Sequence, residues 1–325
     1  MKSGSTNYPA LVIGCGNIGS SFDEVVGSNA VRTHANAYAK CCDTELVALC
    51  DKDVKRLETA SSFFGVKCSY VDHCKALVDV KPLIVSVATP DPTHFSVCLD
   101  VIKCPSVRVL IIEKPIATNL FDAEKLSAAA AYHEVIIIVN YSRRFSSAYQ
   151  RLRKQLRAGR IGSIELVHGY YSKGLLHNGS HWLDLARWLV GDFQVTASSF
   201  SMVEIGQDPT CDLKLEFDQG ARGILSGVAQ KNFFLFEMDL IGSSGRLRIS
   251  RNEFEWFTPE SDKIYLGFNF LRSEREHISD IEDTMSKLIE NAVLCLRGLG
   301  EPGCSSKDAI WILQQVDWAN QLCCN

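Results

Sequence analysis

Five short apolar runs, each closed by a glycine or a polar residue, constrain this chain more than any other feature. They cover residues 10–13, ending at Gly14; 45–50, ending at Asp51; 83–88, ending in Thr89-Pro90; 107–112, ending in Glu113-Lys114-Pro115; and 135–139, ending in Asn140. Continuous runs rich in Val, Ile and Leu are the pattern of strands buried on both faces. Helical segments lie between them, for example residues 53–64 and 122–132. Strand–helix alternation predicts an α/β fold with a doubly wound parallel sheet of the Rossmann type. In such sheets ligands bind beyond the carboxyl ends of the strands. The residues that close the runs are therefore the ones to read for chemistry.

The pattern changes after residue 141. A basic helix is expected over 147–158, closed by Gly159, and longer alternating stretches follow at 164–171, 195–205, 211–217 and 221–228. The last two flank Asp218-Gln219-Gly220, a hairpin signal. Residues 233–240 and 245–249 continue the alternation. Helices are expected over 278–299 and 306–321, with Ser305 or Ser306 as N-cap of the second. The expected division is a dinucleotide-binding domain over 1–141. An α+β domain over 142–325 follows, built on a large, mostly antiparallel sheet with one face covered.

Composition excludes several classes. Lys and Arg number 34 against 38 Asp and Glu, a net charge of −4, so the basic face that nucleic-acid binding needs is not expected. No apolar run approaches the ~20 residues that span a bilayer, and residues 1–9 lack the apolar core of a signal peptide. A cytoplasmic protein is expected. The 13 cysteines include no CxxC pair, which removes the zinc-ribbon reading; they read as reduced thiols used as small hydrophobes. The run Arg151, Arg153, Lys154, Arg157 and Arg160 reads as a solvated helix face.

Gly14-Cys15-Gly16-Asn17-Ile18-Gly19 follows the first strand directly. In a dinucleotide loop the first glycine makes the tight turn, the second lets the backbone approach a pyrophosphate, and the third lets helix and strand pack closely. Asn17 and Ile18 belong to the same loop. Asp51 closes the second strand, where a carboxylate accepts from ribose hydroxyls and repels a 2′-phosphate. NAD is therefore the expected cofactor, with NADP kept open by Lys52. Asp51 lies 32 residues after Gly19 where about 20 is usual, so residues 20–32 read as an insertion in or before the first helix. Thr89, Pro90 and His94 are placed at the cofactor, His94 with the alternative of a residue that merely starts a helix. Glu113 and Lys114 end the fourth strand beside the same crevice. An ammonium there can stabilise a developing alkoxide, with Glu113 holding it by a charge pair.

The glycine loop, the Thr89-Pro90…His94 segment and Glu113-Lys114-Pro115 occur in the order of the Gfo/Idh/MocA oxidoreductases, which this chain resembles. The resemblance continues through residues 140–145 (NYSRRF), 162–164, 179–184 (GSHWLD), 242–247 (GSSGRL) and Glu301-Pro302. It implies an NAD(P)-dependent dehydrogenase acting on a hydroxyl or keto carbon of a sugar or sugar derivative, nucleotide-linked sugars included. It also implies a homodimer or homotetramer formed through the second sheet. The family's catalytic histidine falls on His181, with Lys114 as the alternative base or polarising group. His177 stands where well-known members carry an Asp, and is placed as an orienting or relay group. As a metal pair His177 and His181 find no further ligands, so no metal is expected. Arg143 and Arg144 follow the fifth strand; one is expected at the cofactor or substrate and the other at the surface, the assignment taken being Arg144 to cofactor and Arg143 to substrate. Asn140, Tyr171 and Lys173 are further expected substrate contacts, together with His177 and His181. The competing readings are a dehydrogenase of a non-sugar (cyclic polyol, dihydrodiol or imine) and a non-catalytic dinucleotide-sensing regulator.

Overall fold

The computed structural model describes residues 7–25, 29–202, 208–230, 232–278 and 283–324. Residues 26–28 of the expected insertion, 203–205 of an expected strand and 279–282 of an expected helix lie outside them. The chain divides into two units. One comprises Met1–Ser146 and Glu282–Ile310, the other Ser147–Ile281 and Trp311–Asn325.

The first unit alternates strand and helix: β1 (Tyr8–Ile13), α1 (His34–Lys40), β2 (Thr44–Cys50), α2 (Val54–Phe64), β3 (Cys68–Tyr70), α3 (His73–Val80), β4 (Ile84–Val87), α4 (His94–Ile102), β5 (Val109–Ile112), α5 (Leu120–Tyr132) and β6 (Ile136–Val139). All six strands are parallel, in the order β3-β2-β1-β4-β5-β6. Strands β4 and β5 are buried along their whole length, as the unbroken apolar runs require. Strand β3 has no apolar run to announce it: its three residues are CSY and two are exposed. Helices α2, α3 and α5 start on side-chain caps. Asp53 accepts from the amides of Lys55 and Arg56, Asp72 from Cys74, and Asn119 from Asp122, satisfying donors that have no partner inside the helix.

The first helix carries the insertion in an unexpected way. After the glycine loop the chain makes a helical turn, with the Ser20 amide donating to Gly16 O at 2.9 Å, and a short 3-10 helix over Ser21–Asp23. It then leaves and returns at His34, whose amide donates to Ile18 O at 3.1 Å, while that of Ala35 donates to Gly19 O at 3.0 Å. An unbroken α-helix would use residue 22 for the first of these bonds. Twelve residues are thus spliced into a helix whose bonding resumes across the gap. Removing them places Asp51 twenty residues after Gly19, the usual spacing. Buried Asp23 closes the excursion, its Oδ2 accepting from the amides of Arg32 (2.7 Å) and Thr33 (2.8 Å) and from the Thr33 hydroxyl (2.9 Å).

The second unit holds α6 (Ser147–Arg157), β7 (Ile164–Ser172), α7 (Ser180–Val190), β8 (Phe193–Met202), β9 (Thr210–Phe217), β10 (Arg222–Val228), β11 (Phe236–Gly242), β12 (Gly245–Ile249), β13 (Glu253–Ser261) and β14 (Asn269–His277). Its sheet runs β14-β13-β12-β11-β7-β10-β9-β8, antiparallel except for the β7–β10 pair. Alternation along β9 buries Cys211, Leu213, Leu215 and Phe217 and exposes Asp212, Lys214 and Glu216. The hairpin at Asp218-Gln219-Gly220 turns on Gly220, at φ +87°. Strands β13 and β14 were not legible in the sequence, because β14 is almost wholly exposed and charged. Three of the five basic residues in and just after α6 make contacts, while Lys154 and Arg157 are exposed. Arg151 pairs with Glu276 at 3.3 Å, Arg160 pairs with Glu274 at 3.2 Å and stacks on Trp256, and Arg153 lies over Trp188.

Sequence order assigns everything after residue 141 to one domain, whereas the fold returns Glu282–Ile310 to the first unit. There α8 (Thr284–Leu296) packs on α1 and β5 and buries Met285, Leu288, Ile289 and Val293. The Val139 amide donates to Cys304 O at 2.9 Å. The final helix, α9 (Ser306–Cys324), follows Ser305, whose amide and hydroxyl donate to the Asp308 carboxylate and whose hydroxyl oxygen accepts from the Asp308 amide. All 13 cysteines are free thiols, and among the described residues no helix is long and apolar enough to cross a membrane.

Candidate active site

The strand order reverses between β1 and β4, and a crevice of about 810 Å³ opens at that point. Gly14, Gly16, Asn17 and Ile18 line one side, Thr89 and Pro90 another, and Asp51 the end beyond β2. The three glycines act differently. Gly14 sits at φ +100°, and a Cβ there would stand 2.5 Å from Ala88 O of the neighbouring strand end. A Cβ on Gly19 would collide with Gly14 O. One on Gly16 would meet nothing within 4 Å, so its backbone faces open crevice where a bulky anionic group can approach. The Asp51 carboxylate accepts from the Cys15 amide (2.7 Å) and the Asp53 amide (2.8 Å), which aims it at the loop and leaves lone pairs for further donors. Glycine backbone, helix turn and strand-end acid together fit a dinucleotide. Lys52, Asp53 and Arg56 also line this end; they were not among the expected contacts.

His94 does not line the crevice. It is fully buried, with Nδ1 2.7 Å from Pro115 O and Nε2 2.8 Å from Thr89 O. It therefore ties the end of β4 to the segment after β5 and shapes the site from beneath, which corrects its expected place at the cofactor. Arg144 needs a similar correction. It is 5% exposed, 3.3 Å from Gly303 O and 3.5 Å from the Asp308 carboxylate, so its guanidinium braces the returning segment before α9. Arg143 is half-buried.

Glu113 and Lys114 follow β5, and the peptide between Lys114 and Pro115 is cis. One oxygen of Glu113 accepts from Asn140 Nδ2 at 2.6 Å and lies 2.9 Å from His34 Nε2. Burial alone would raise this carboxyl. The His34 hydrogen bond and charge, the Asn140 amide and the Lys114 ammonium outweigh it and hold Glu113 below the usual range. An ionised carboxylate only accepts, so His34 Nε2 carries the proton; His34 Nδ1 has no hydrogen-bond partner among the described residues. Asn140, only 4% exposed, spends its donors on Glu113 and on Met285 Sδ at 3.4 Å. It positions Glu113, where the sequence placed it at the substrate. His34 escaped the sequence reading altogether; the one signal for it was the displaced spacing of Asp51, since the insertion ends where His34 begins.

In the second unit, His177 and His181 lie on one continuous helical run. A π-helical turn over Leu175–Gly179 leads directly into α7. Ser180 has helical φ and ψ (−58°, −33°) and its hydroxyl donates back to Leu176 O at 2.6 Å, so it lies within the helical run and does not cap it. The cap is Asp208, whose carboxylate accepts from the amides of Leu176 (3.0 Å) and His177 (2.7 Å). No local pattern points to Asp208, 31 residues away. His177 is exposed and His181 half-buried. Lys173, exposed at φ +68°, turns the chain from β7 into this run. Tyr171 is fully buried; its hydroxyl donates to Cys211 O (3.0 Å) and accepts from the Cys211 amide (2.8 Å). It is a core residue locking β7 to β9, which corrects its expected role as a substrate contact.

A parallel sheet in this order, with a glycine loop at the switch point and an acid closing β2, defines a dinucleotide-binding domain. Residues 9–141 match the model of the GFO_IDH_MocA oxidoreductase family, described as having an NAD-binding Rossmann fold. A D-apiose dehydrogenase from Paraburkholderia graminis is 27% identical, the match covering 88% of this chain and 83% of that protein. Among solved structures, a levoglucosan dehydrogenase in complex with NADH and levoglucosan superposes with a TM-score of 0.82 at 16% identity, over 98% of this chain and 97% of that one. The WlbA dehydrogenase of Bordetella pertussis, in complex with NADH and UDP-GlcNAcA, gives 0.78 at 20% identity, over 98% and 95%. Residues 9–141 thus form an NAD-binding Rossmann domain of the Gfo/Idh/MocA oxidoreductase kind.

Proposed function

We propose that this chain is an NAD-dependent dehydrogenase that oxidises a carbinol of a sugar or sugar derivative. The observation that carries the reading is the Glu113 network. A half-buried lysine follows a carboxylate that is kept ionised by two donors on other elements, and that arrangement fixes an ammonium at a strand end of a dinucleotide domain. Bound NAD supplies the hydride acceptor. Lys114 Nζ donates a hydrogen bond to the substrate oxygen and stabilises its developing negative charge. As the C–H bond gives up its hydride, the hydroxyl proton passes to His181, a neutral imidazole being a fitting base near neutral pH. His177 orients the substrate or relays that proton onward. Arg143 and Lys173 are proposed substrate contacts, and Asp51 is the proposed selector of NAD over NADP.

The apiose dehydrogenase match supports a sugar-like substrate. A homo-oligomer formed through the uncovered sheet face is supported by exposed Tyr170, Ile224 and Ile241 on the adjacent central strands β7, β10 and β11. A cytoplasmic location is in keeping with 13 free thiols. The test is NAD⁺ reduction, followed at the nicotinamide absorbance, over free aldoses, inositols and nucleotide sugars. Turnover on one of these, lost in Lys114→Ala while NADH still binds, is expected. NADH binding without turnover on any carbinol, imine or dihydrodiol would overturn the reading in favour of a dinucleotide sensor.

A further inference from the structure

The start of α3 brings unlike donor atoms together. His73 Nε2 lies 3.1 Å from Asp100 Oδ2, which α4 supplies. Cys74 Sγ lies 3.6 Å from His73 Nε2 and 3.8 Å from the same Asp100 oxygen. Asp72 joins them: its carboxylate caps α3, and donor atoms of Asp72, His73 and Cys74 all fall within 4.8 Å of one another. His73 and Cys74 thus belong to two triads, one completed by Asp72 and the other by Asp100.

The distances discriminate. A tetrahedral zinc ion has bonds of about 2.0–2.1 Å to nitrogen, 2.3 Å to sulfur and 2.0–2.2 Å to oxygen, which makes the ligand-to-ligand edges roughly 3.3–3.6 Å. The observed triangle of 3.6, 3.1 and 3.8 Å brackets that range. The same Asp100 oxygen receives both His73 and Cys74, so an ion that displaces those two protons would meet all three donor atoms. The cysteine search of the sequence missed the cluster because its ligands come from adjacent residues on one helix and a single acid on another.

We propose that His73, Cys74 and Asp100 form a binding site for a borderline-soft divalent cation of the zinc class. The mix of thiolate, imidazole and carboxylate selects such an ion over magnesium or calcium. The site lies on the rim of the dinucleotide crevice, since His73 also lines it. It does not depend on the proposed reaction.

Cobalt(II) titration of the metal-stripped, reduced full-length protein tests the proposal, because a thiolate–cobalt bond gives a charge-transfer band in the near ultraviolet. The expected result is one equivalent bound with that band, competed away by zinc but not by magnesium. Cys74→Ser should abolish the band, and Asp100→Asn should weaken binding at least about tenfold, as loss of a ligand or its support does. Absence of stoichiometric cobalt or zinc binding overturns the proposal. So does a band of unchanged size in Cys74→Ser, which would assign the metal to other thiols.

Discussion

The two segments proposed to handle the proton are built in opposite ways. Lys114 follows a fully buried strand, and its neighbour Glu113 is clamped by His34 and Asn140, which come from different elements. His177 and His181 ride on a helical run whose first turn is π-helical and whose cap, Asp208, reaches in from a distant part of the chain. The first segment is over-determined by its surroundings. The second is anchored by Asp208 and by buried Asn178, whose Nδ2 donates to Ser172 O at 2.7 Å, yet it leaves His177 exposed and His181 half-buried. A hydride transfer needs its oxygen-polarising group fixed, whereas substrate choice is better placed on a surface that can be reshaped. The proposed division puts the chemistry on the first segment and substrate specificity on the second.

The sharpest way to break that comparison is Lys114→Ala. Turnover should fall by about 10²–10⁴, the usual worth of a proton-handling or charge-stabilising group, with little change in the NADH dissociation constant measured by fluorescence. Near-normal turnover would remove Lys114 from the mechanism. Next comes Glu113→Gln. It removes the charge that orients the lysine, and a fall in kcat of about ten- to a hundredfold at unchanged NADH affinity is expected, by the standards of supporting groups in other sites. The same variant has a stability signature. Because the folded Glu113 is held below its ordinary value of 4.5, it stabilises the fold above that pH, and the contribution is lost as pH falls through the folded value. Thermal melts should show a shallower loss of stability on the acid side in Glu113→Gln than in the parent.

Asp51→Ala should leave kcat with NAD nearly intact and relax discrimination against NADP by about tenfold or more, an effect of roughly 1.4 kcal/mol. Unchanged discrimination would move the selector to Lys52 or Arg56, which line the same end. The smallest effect expected is that of Asp208→Asn. An amide oxygen can keep one of the two cap bonds, so the cost should be about 0.5–2 kcal/mol in stability. It should appear in KM for the carbinol substrate rather than in NADH affinity. An equal effect on NADH affinity would show that the second segment is not specialised for substrate.

How much of this could be read from the chain depended on whether the determinants were local. Strand runs, the glycine loop, the Asp51 position and the Gly220 turn are local, and each appears where expected. The parallel sheet follows from them. The returning α8 was not legible, because its place is set by an apolar face packing on α1 and β5, far away in sequence. Tyr171, His94, Asn140 and Arg144 were read as ligand contacts because their residue types suit binding; their burial against backbone carbonyls, a carboxylate or a neighbouring strand is a tertiary fact with no sequence periodicity. His34 and Asp208 were missed for the same reason, each acting on a partner that only the fold brings near.

The spliced helix has a consequence for engineering. Its hydrogen bonds close across the gap from Ile18 to His34 and from Gly19 to Ala35, and Asp23 staples the base of the excursion to Arg32 and Thr33. The junction is therefore a modular port. The tip beyond that staple can be shortened, lengthened or exchanged for a foreign peptide at a modest entropic cost, since closure entropy grows only with the logarithm of length. What lies downstream, beginning with the histidine that grips Glu113, keeps its register whatever is plugged in.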